Sequence, residues 1–133
     1  MKTKKERAEY RKAYIQTVEG RANKLWLDAR RRAKTKGLVF TISKAWVIEA
    51  LEHGMCPRTT EKFYTGEPRT KGVNEPNAPS LDRIVPELGY TPENTQVVIW
   101  AYNCAKSTWS DEALLKLAHH ICNTVAAKRM LAL

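Results

Sequence analysis

Three polar residues are spaced so that a fold could bring them to one place. Asp82 lies in a short apolar run, Ser80-Leu81-Asp82-Arg83-Ile84-Val85. Asn94 follows a turn punctuated by Pro86, Gly89 and Pro92, and a second apolar run, Val97-Val98-Ile99, comes next. Asn103 sits in the stretch 100–106, which reads as a helix. A carboxylate near a strand end and an amide on a facing helix could share one hard divalent cation. Mg²⁺ suits such a pair, because it keeps several waters and takes only one or two protein oxygens plus substrate phosphate. An ion held there would stabilise charge developing at a phosphodiester. Each residue also has a purely structural use. Thr91-Pro92-Glu93-Asn94 is a turn by composition, Asp82 could pair with Arg83 or a basic helix, and Asn103 could bond between helices.

The elements that must position these residues follow from periodicity. Tyr10, Tyr14, Val18, Ala22, Leu25, Trp26, Ala29 and Ala33 recur at steps of three or four and predict an apolar helical stripe. Gly20 interrupts it, so two helices are expected, over 3–19 and 21–35, with Gly37 as the C-terminal cap. Leu38-Val39-Phe40 is a short link. Thr41 or Ser43 then caps a helix over about 43–53, with Trp46, Val47, Ala50 and Leu51 buried. Residues 56–79, rich in Pro and Gly, read as a loop and a candidate mobile segment. Ser110-Asp111-Glu112 starts a final helix with an apolar face of Leu114, Leu117, Ala118, Ile121 and Val125. The fold class expected is α+β, mostly helical, with a two-stranded hairpin within 80–99.

Charge separates the chain into unequal parts. The net charge is +9, and residues 1–36 hold 13 Lys/Arg against 4 Asp/Glu, so the excess lies in the first quarter. A polyanion is the partner such asymmetry implies, with nucleic acid the commonest. Arg30, Arg31, Arg32, Lys34 and Lys36 cannot all face one way on a helix, and a basic surface wrapping the helix sides suits phosphate tracking. Basic residues in a last helical turn also complement the helix dipole. Three widely spaced cysteines, Cys56, Cys104 and Cys122, fit a reducing compartment. No apolar run is long enough to span a membrane, and the charged start of the chain does not read as a secretory signal. A cytoplasmic protein is expected.

The stretch around Asp82 resembles the ββα-metal, or HNH-type, endonucleases. In that family a strand ending in Asp-His is followed by a loop and an Asn-Leu-Gln-x-x-Cys-x-x-Cys-Asn-x-x-Lys segment. Here Asn94-Thr95-Gln96 stands at the Asn-Leu-Gln, and Asn103 and Lys106 stand at the Asn-x-x-Lys. Cys56-Pro57-Arg58-Thr59 stands at the first Cys-x-x-Cys. Leu81-Asp82-Arg83-Ile84, followed by Gly89-Tyr90-Thr91-Pro92-Glu93-Asn94, is similar to a branch common in bacteriophages. The resemblance covers about 38–106. It implies a basic helical extension (1–37), a ββα-metal core (38–109) and a C-terminal helix (110–133) in one domain. It further implies Asp82 and Asn103 as ligands of Mg²⁺ or another divalent cation, and Asn94 as a brace for the loop that positions the general base. Lys106 would then contact phosphate or cap its helix. Double-stranded DNA is the implied partner, with Arg30, Arg31, Arg32, Lys34, Lys36 and Lys106 contacting it.

This sequence departs from the family at two places. Of the four knuckle positions only Cys56 keeps a thiol, while Thr59, Ile99 and Tyr102 take the others. One thiol does not make a tetrahedral zinc site, so no structural zinc is expected and apolar packing must hold the finger. The position of the general base is Arg83, and a guanidinium does not accept a proton at neutral pH. His53, at the end of its helix, is the histidine nearest in sequence to the knuckle, and His119 and His120 lie on the last helix. Three functions follow: a metal-dependent endonuclease of phage HNH type that nicks or cuts DNA, a non-catalytic DNA- or host-protein-binding phage protein on the same fold, or an RNA-binding protein.

Overall fold

The structure is a computed structural model, described for residues 1–132. Its elements are helices α1 (Lys4–Ile15), α2 (Val18–Lys36) and α3 (Lys44–Glu52), strands β1 (Pro79–Arg83) and β2 (Thr95–Ile99), and helices α4 (Trp100–Lys106) and α5 (Asp111–Leu131). The strands pair antiparallel, Pro79 opposite Ile99 and Arg83 opposite Thr95. A short 3₁₀ turn at Pro86–Leu88 lies between them. The result is α+β, with one hairpin among helices.

Each long helix begins at a side chain that satisfies free backbone donors. Thr3 and Glu6 form a capping box on α1, and Thr17, Ser43 and Ser110 accept from the N–H groups of Gly20, Trp46 and Ala113. The break between α1 and α2 therefore falls at Gln16-Thr17, not at the expected Gly20, which lies in the first turn of α2. The glycine is needed for another reason. A Cβ at Gly20 would sit 1.8 Å from the Tyr14 carbonyl oxygen, so only glycine lets α2 start this close to the end of α1. The expected stripe is also shorter than its periodicity suggests. Tyr10 and Val18 are exposed, α1 buries no residue, and α2 buries Ala22, Ala29 and Ala33.

Those alanines let α3 and the hairpin approach α2 closely. The main core joins them to Ile42, Val47, Leu51, Leu81, Tyr90 and Val97. A second cluster holds Cys56, Val98 and Ile99, with Phe63, Ala101 and Tyr102 packed on it. All five residues of β2 are buried; Val97 joins the main core and Val98 and Ile99 the second cluster. Edge-to-face aromatic contacts run from Trp26 to Phe40 (5.6 Å) and from Phe40 to Tyr90 (5.8 Å), linking α2 to the loop after β1. That loop pairs with the segment before α3: Tyr90 N–H donates to Val39 O and Thr41 N–H to Tyr90 O, each at 2.8 Å.

Residues 56–78 form no helix or strand, but they are tied at several points. Cys56 N–H donates to Glu61 O and Tyr64 N–H to Asn77 O. Arg69 grips the buried Glu75 carboxylate through Nε and Nη2 and holds its carboxyl below the ordinary range. The last helix departs from expectation. It packs on α4 near its start, with Leu114 half-buried, whereas Leu117, Ala118, Ile121 and Val125 are exposed. No helix of the described residues is long and apolar enough to cross a membrane.

Gly89 gives a direct test of the loop-to-link contact. Its φ is +75°, and an added Cβ would lie 2.4 Å from Val39 O. Gly89→Ala is expected to cost about 2 kcal/mol or more in urea unfolding, since it adds left-handed strain to a backbone clash. A loss below a few tenths of a kcal/mol would mean that the 39–41 segment does not hold the loop.

Candidate active site

The end of β1, the loop after it and α4 enclose a polar hollow of about 330 Å³. Arg32, Ser80, Asp82, Arg83 and Asn103 contribute its polar side chains. Asn103 and Lys106 are three residues apart on α4, so both face β1. Asn103 Nδ2 donates to Ser80 Oγ at 2.7 Å and to Leu81 O at 3.2 Å. These bonds fix the amide plane. Its Oδ1 accepts no hydrogen bond among the described residues.

Asp82 is 3% exposed and Lys106 is 0% exposed. The Lys106 ammonium donates to Asp82 Oδ1 at 3.0 Å, to Arg83 O at 2.9 Å and to Ile84 O at 3.3 Å. Its three protons thus meet three acceptors, and α4 is pinned to the C-terminal end of β1. Sequence reasoning placed Lys106 on phosphate or at the helix end. The structure corrects that placement, because an ammonium with no exposed surface and a full set of partners has no proton left for a nucleic acid. Asp82 Oδ2 accepts from Gln96 Nε2 at 2.8 Å.

Gln96 opens a second network. Its Oε1 accepts from Arg58 Nε at 2.8 Å, and its Nε2 also donates to Asp111 Oδ1 at 3.2 Å. Arg58 Nη2 reaches Asp111 Oδ2 at 3.0 Å, and the Tyr102 hydroxyl donates to Asp111 Oδ1. Burial, and then this bond to a carboxylate, push the Tyr102 phenol well above its ordinary range. Arg58 belongs to the segment standing at the first Cys-x-x-Cys, and Tyr102 stands at the last knuckle position. An Arg–Asp–Tyr–Gln cluster links these two positions, beside the apolar contacts of Cys56 and Ile99.

Arg83 is held against the loop after β1. Its Nη1 donates to Pro86 O at 3.0 Å, and its guanidinium lies 5.4 Å from the centre of the Tyr90 ring. Arg32 Nε donates to the Tyr90 hydroxyl at 3.2 Å. Two guanidinium groups are therefore held beside one buried tyrosine and line the same hollow. Asn94 closes the loop from inside: Oδ1 accepts from Val85 N–H at 2.9 Å, and Nδ2 donates to Val85 O at 2.9 Å and to Gly89 O at 2.7 Å. Arg30 lies over the Trp26 ring, Arg31 pairs with Asp28, and Lys34 and Lys36 are exposed in the last turn of α2. Only Arg32 of this basic group lines the hollow. No histidine lines it among the described residues: His53 is exposed at the end of α3, and His119 and His120 are on α5.

The donor set bears on a divalent cation. No group of three or more His, Cys, Asp or Glu side chains that could hold a metal occurs among the described residues. Asp82 and Asn103 offer one carboxylate and one unpartnered amide oxygen on one hollow. That set fits a hard, water-rich cation needing one or two protein oxygens, and it does not fit a fully protein-ligated ion. Each carboxylate oxygen has a second lone pair, so Asp82 can serve Lys106, Gln96 and a cation together.

Sequence reasoning missed Gln96, Arg58 and Asp111 as neighbours of the site, and Ser80 and Tyr90 as part of its wall. Asp111 carried a sufficient reading as a helix-start acid. Gln96 sits in a strand buried on both faces, where alternation gives no clue. The pair at its centre is testable. Lys106→Met is expected to destabilise the chain by about 3 kcal/mol by stranding a buried carboxylate. Asp82→Asn combined with Lys106→Met should recover much of that loss, as read by urea unfolding in a double-mutant cycle. Additive losses would show that the two groups are not coupled.

No family model matches the chain, and no curated protein matches it. Among solved structures, the chain is similar to the rare-cutting HNH restriction endonuclease PacI, with a TM-score of 0.50 and 18% identity over 80% of each chain. At that identity the likeness concerns the fold: the hairpin and α4 form an HNH-like ββα unit.

Proposed function

We propose that the chain is a metal-dependent endonuclease of phage HNH type that hydrolyses the phosphodiester backbone of double-stranded DNA. The observation that carries this reading is the convergence of Asp82, Asn103, Arg32 and Arg83 on one hollow of the ββα unit. A negative phosphate fits two fixed guanidinium groups, which bind oxygen pairs without losing their charge. Asp82 and Asn103 would hold Mg²⁺ or another divalent cation on the same phosphate. Bound there, the ion would supply electrostatic stabilisation of the leaving oxygen. Lys106 fixes the orientation of the Asp82 carboxylate, and Asn94 fixes the loop that carries Arg83 and Tyr90. Arg83 stays protonated, so it binds and orients phosphate and does not activate water. Arg30, Arg31, Lys34 and Lys36 continue the positive surface from Arg32 along α2, where a DNA backbone would lie. The DNA cleaved by the structural neighbour is the natural substrate class for this geometry.

A second reading is a non-catalytic DNA- or host-protein-binding phage protein. The specific observation favouring it is the Lys106 ammonium on Asp82, next to an arginine at the base's position.

Supercoiled plasmid separates the two. With Mg²⁺ or Mn²⁺, nicking is expected, and Asn103→Ala should slow it by ~10²-fold or more with folding intact. Arg32→Ala should weaken DNA binding across sequences and lower the slope of log affinity against log salt by ~1. Binding without cleavage under any divalent ion would leave the second reading standing.

A further inference from the structure

Trp100, the first residue of α4, is 38% exposed and lines two hollows at once. One is the polar hollow of Asp82, Asn103, Arg32 and Arg83. The other, of about 380 Å³, is mostly apolar and lies among the end of α1, segment 64–68 and segment 74–79. Its walls are held in place by the fold. Arg21 donates to Ile15 O at 3.2 Å and to Thr65 O at 3.1 Å, tying α2 to the end of α1 and to the loop. The Tyr64 hydroxyl donates to Glu67 O at 2.7 Å, and the Arg69 guanidinium lies 4.6 Å from the Tyr64 ring centre. The N–H groups of Trp100 and Ala101 donate to Ala78 O at 2.7 Å and to Pro76 O at 2.9 Å, which fixes the start of α4 against the second segment. A pre-formed, mostly apolar hollow with a few polar groups is the usual form of a site for a small flat group.

Charge separates what the two hollows can take. In the polar one, two guanidinium groups face the single carboxylate of Asp82, which suits a phosphate. In the apolar one, Lys12 and Arg21 balance Glu67 and Glu75. Lys12 pairs with Glu67 at 2.9 Å, and Glu75 is held by Arg69 at 2.7 Å. That lining suits an uncharged group. We propose that the apolar hollow takes one unstacked nucleobase, with its ring against Trp100, from the DNA strand whose phosphate lies in the polar hollow. The proposal rests on the DNA binding proposed above. A nucleotide carries its base one sugar away from its phosphate, and the two hollows share Trp100 as a wall. Every base has a face that can stack on an indole. The amides of Gln16 and Asn74, also in the lining, can donate to and accept from a base edge. An intact duplex gives up stacking and pairing to deliver a base, whereas an unpaired base is already free of part of that cost. DNA with an unpaired base is therefore the favoured ligand.

The test measures binding of the full chain, without divalent ions, to three short labelled duplexes of one sequence. One is intact, one carries a single bulged base, and one carries the same bulge with its base removed. The bulged base should bind ~10-fold more tightly than the base-less bulge, the gain expected from stacking on one aromatic side chain. Trp100→Ala should abolish that difference while leaving affinity for the base-less bulge and the urea midpoint near those of the parent chain. Trp100→Phe, which keeps a flat ring, should retain most of the difference. Equal affinity for the two bulges overturns the proposal, and so does a Trp100→Ala chain that loses affinity for both alike. Plasmid nicking is read separately. A chain that nicks but ignores the bulged base keeps the endonuclease function and loses this one. Preference for the bulged base without nicking does the reverse, and failure to bind any DNA overturns both.

Discussion

The ion pair between Lys106 and Asp82 is the constraint around which the centre of this fold is arranged. Burying one charge alone is expensive, and burying two is tolerable only when geometry and hydrogen bonding are complete. Completeness here draws in three elements. The ammonium needs two carbonyls from the end of β1, so the strand must stop where Arg83 and Ile84 turn their oxygens inward. The carboxylate needs Gln96, so β2 must pair in the register that sets Asp82 opposite Gln96. Asn103, one helical turn before Lys106, is then carried to Ser80 and Leu81. The hollow is what remains beside this arrangement.

The network beyond Gln96 ties the elements of the finger together through side chains. A zinc knuckle joins the loop before the hairpin to the helix after it through four short bonds. In this chain Arg58 reaches from that loop, Tyr102 from α4 and Asp111 from α5, and they meet around Gln96. The same residues thus connect the start of α5 to the carboxylate in the hollow. Cys56 remains at the position where the knuckle would begin, but it is buried among Val98, Ile99 and their neighbours.

Much of the architecture was legible in the sequence, for physical reasons. Helix starts follow side-chain caps, and Ser43 and Ser110 act where composition places them. The hairpin and α4 follow from two apolar runs and a turn. Reading failed where a residue satisfied two rules at once. Gly20 looked like a helix break, while Thr17, a better cap three residues earlier, sets the boundary. Lys106 looked like a surface cation because lysines are rarely buried unpaired, and its partner lies 24 residues away. The apolar row on α5 was legible, but its exposure was not. Periodicity reports that a face is apolar, not what covers it. The convergence of Arg32 with Arg83 depends on Tyr90, a contact between α2 and a loop that no local pattern encodes.

A cluster of Arg58, Asp111, Tyr102 and Gln96 asks something different of its surroundings from a set of thiolates. A Cys₄ knuckle needs free zinc during synthesis and a reducing environment afterwards, because thiolates are oxidised and scavenged. A carboxylate, a phenol, an amide and a guanidinium are indifferent to both. The loop before the hairpin, α4 and the start of α5 are joined here by side chains that carry no thiol.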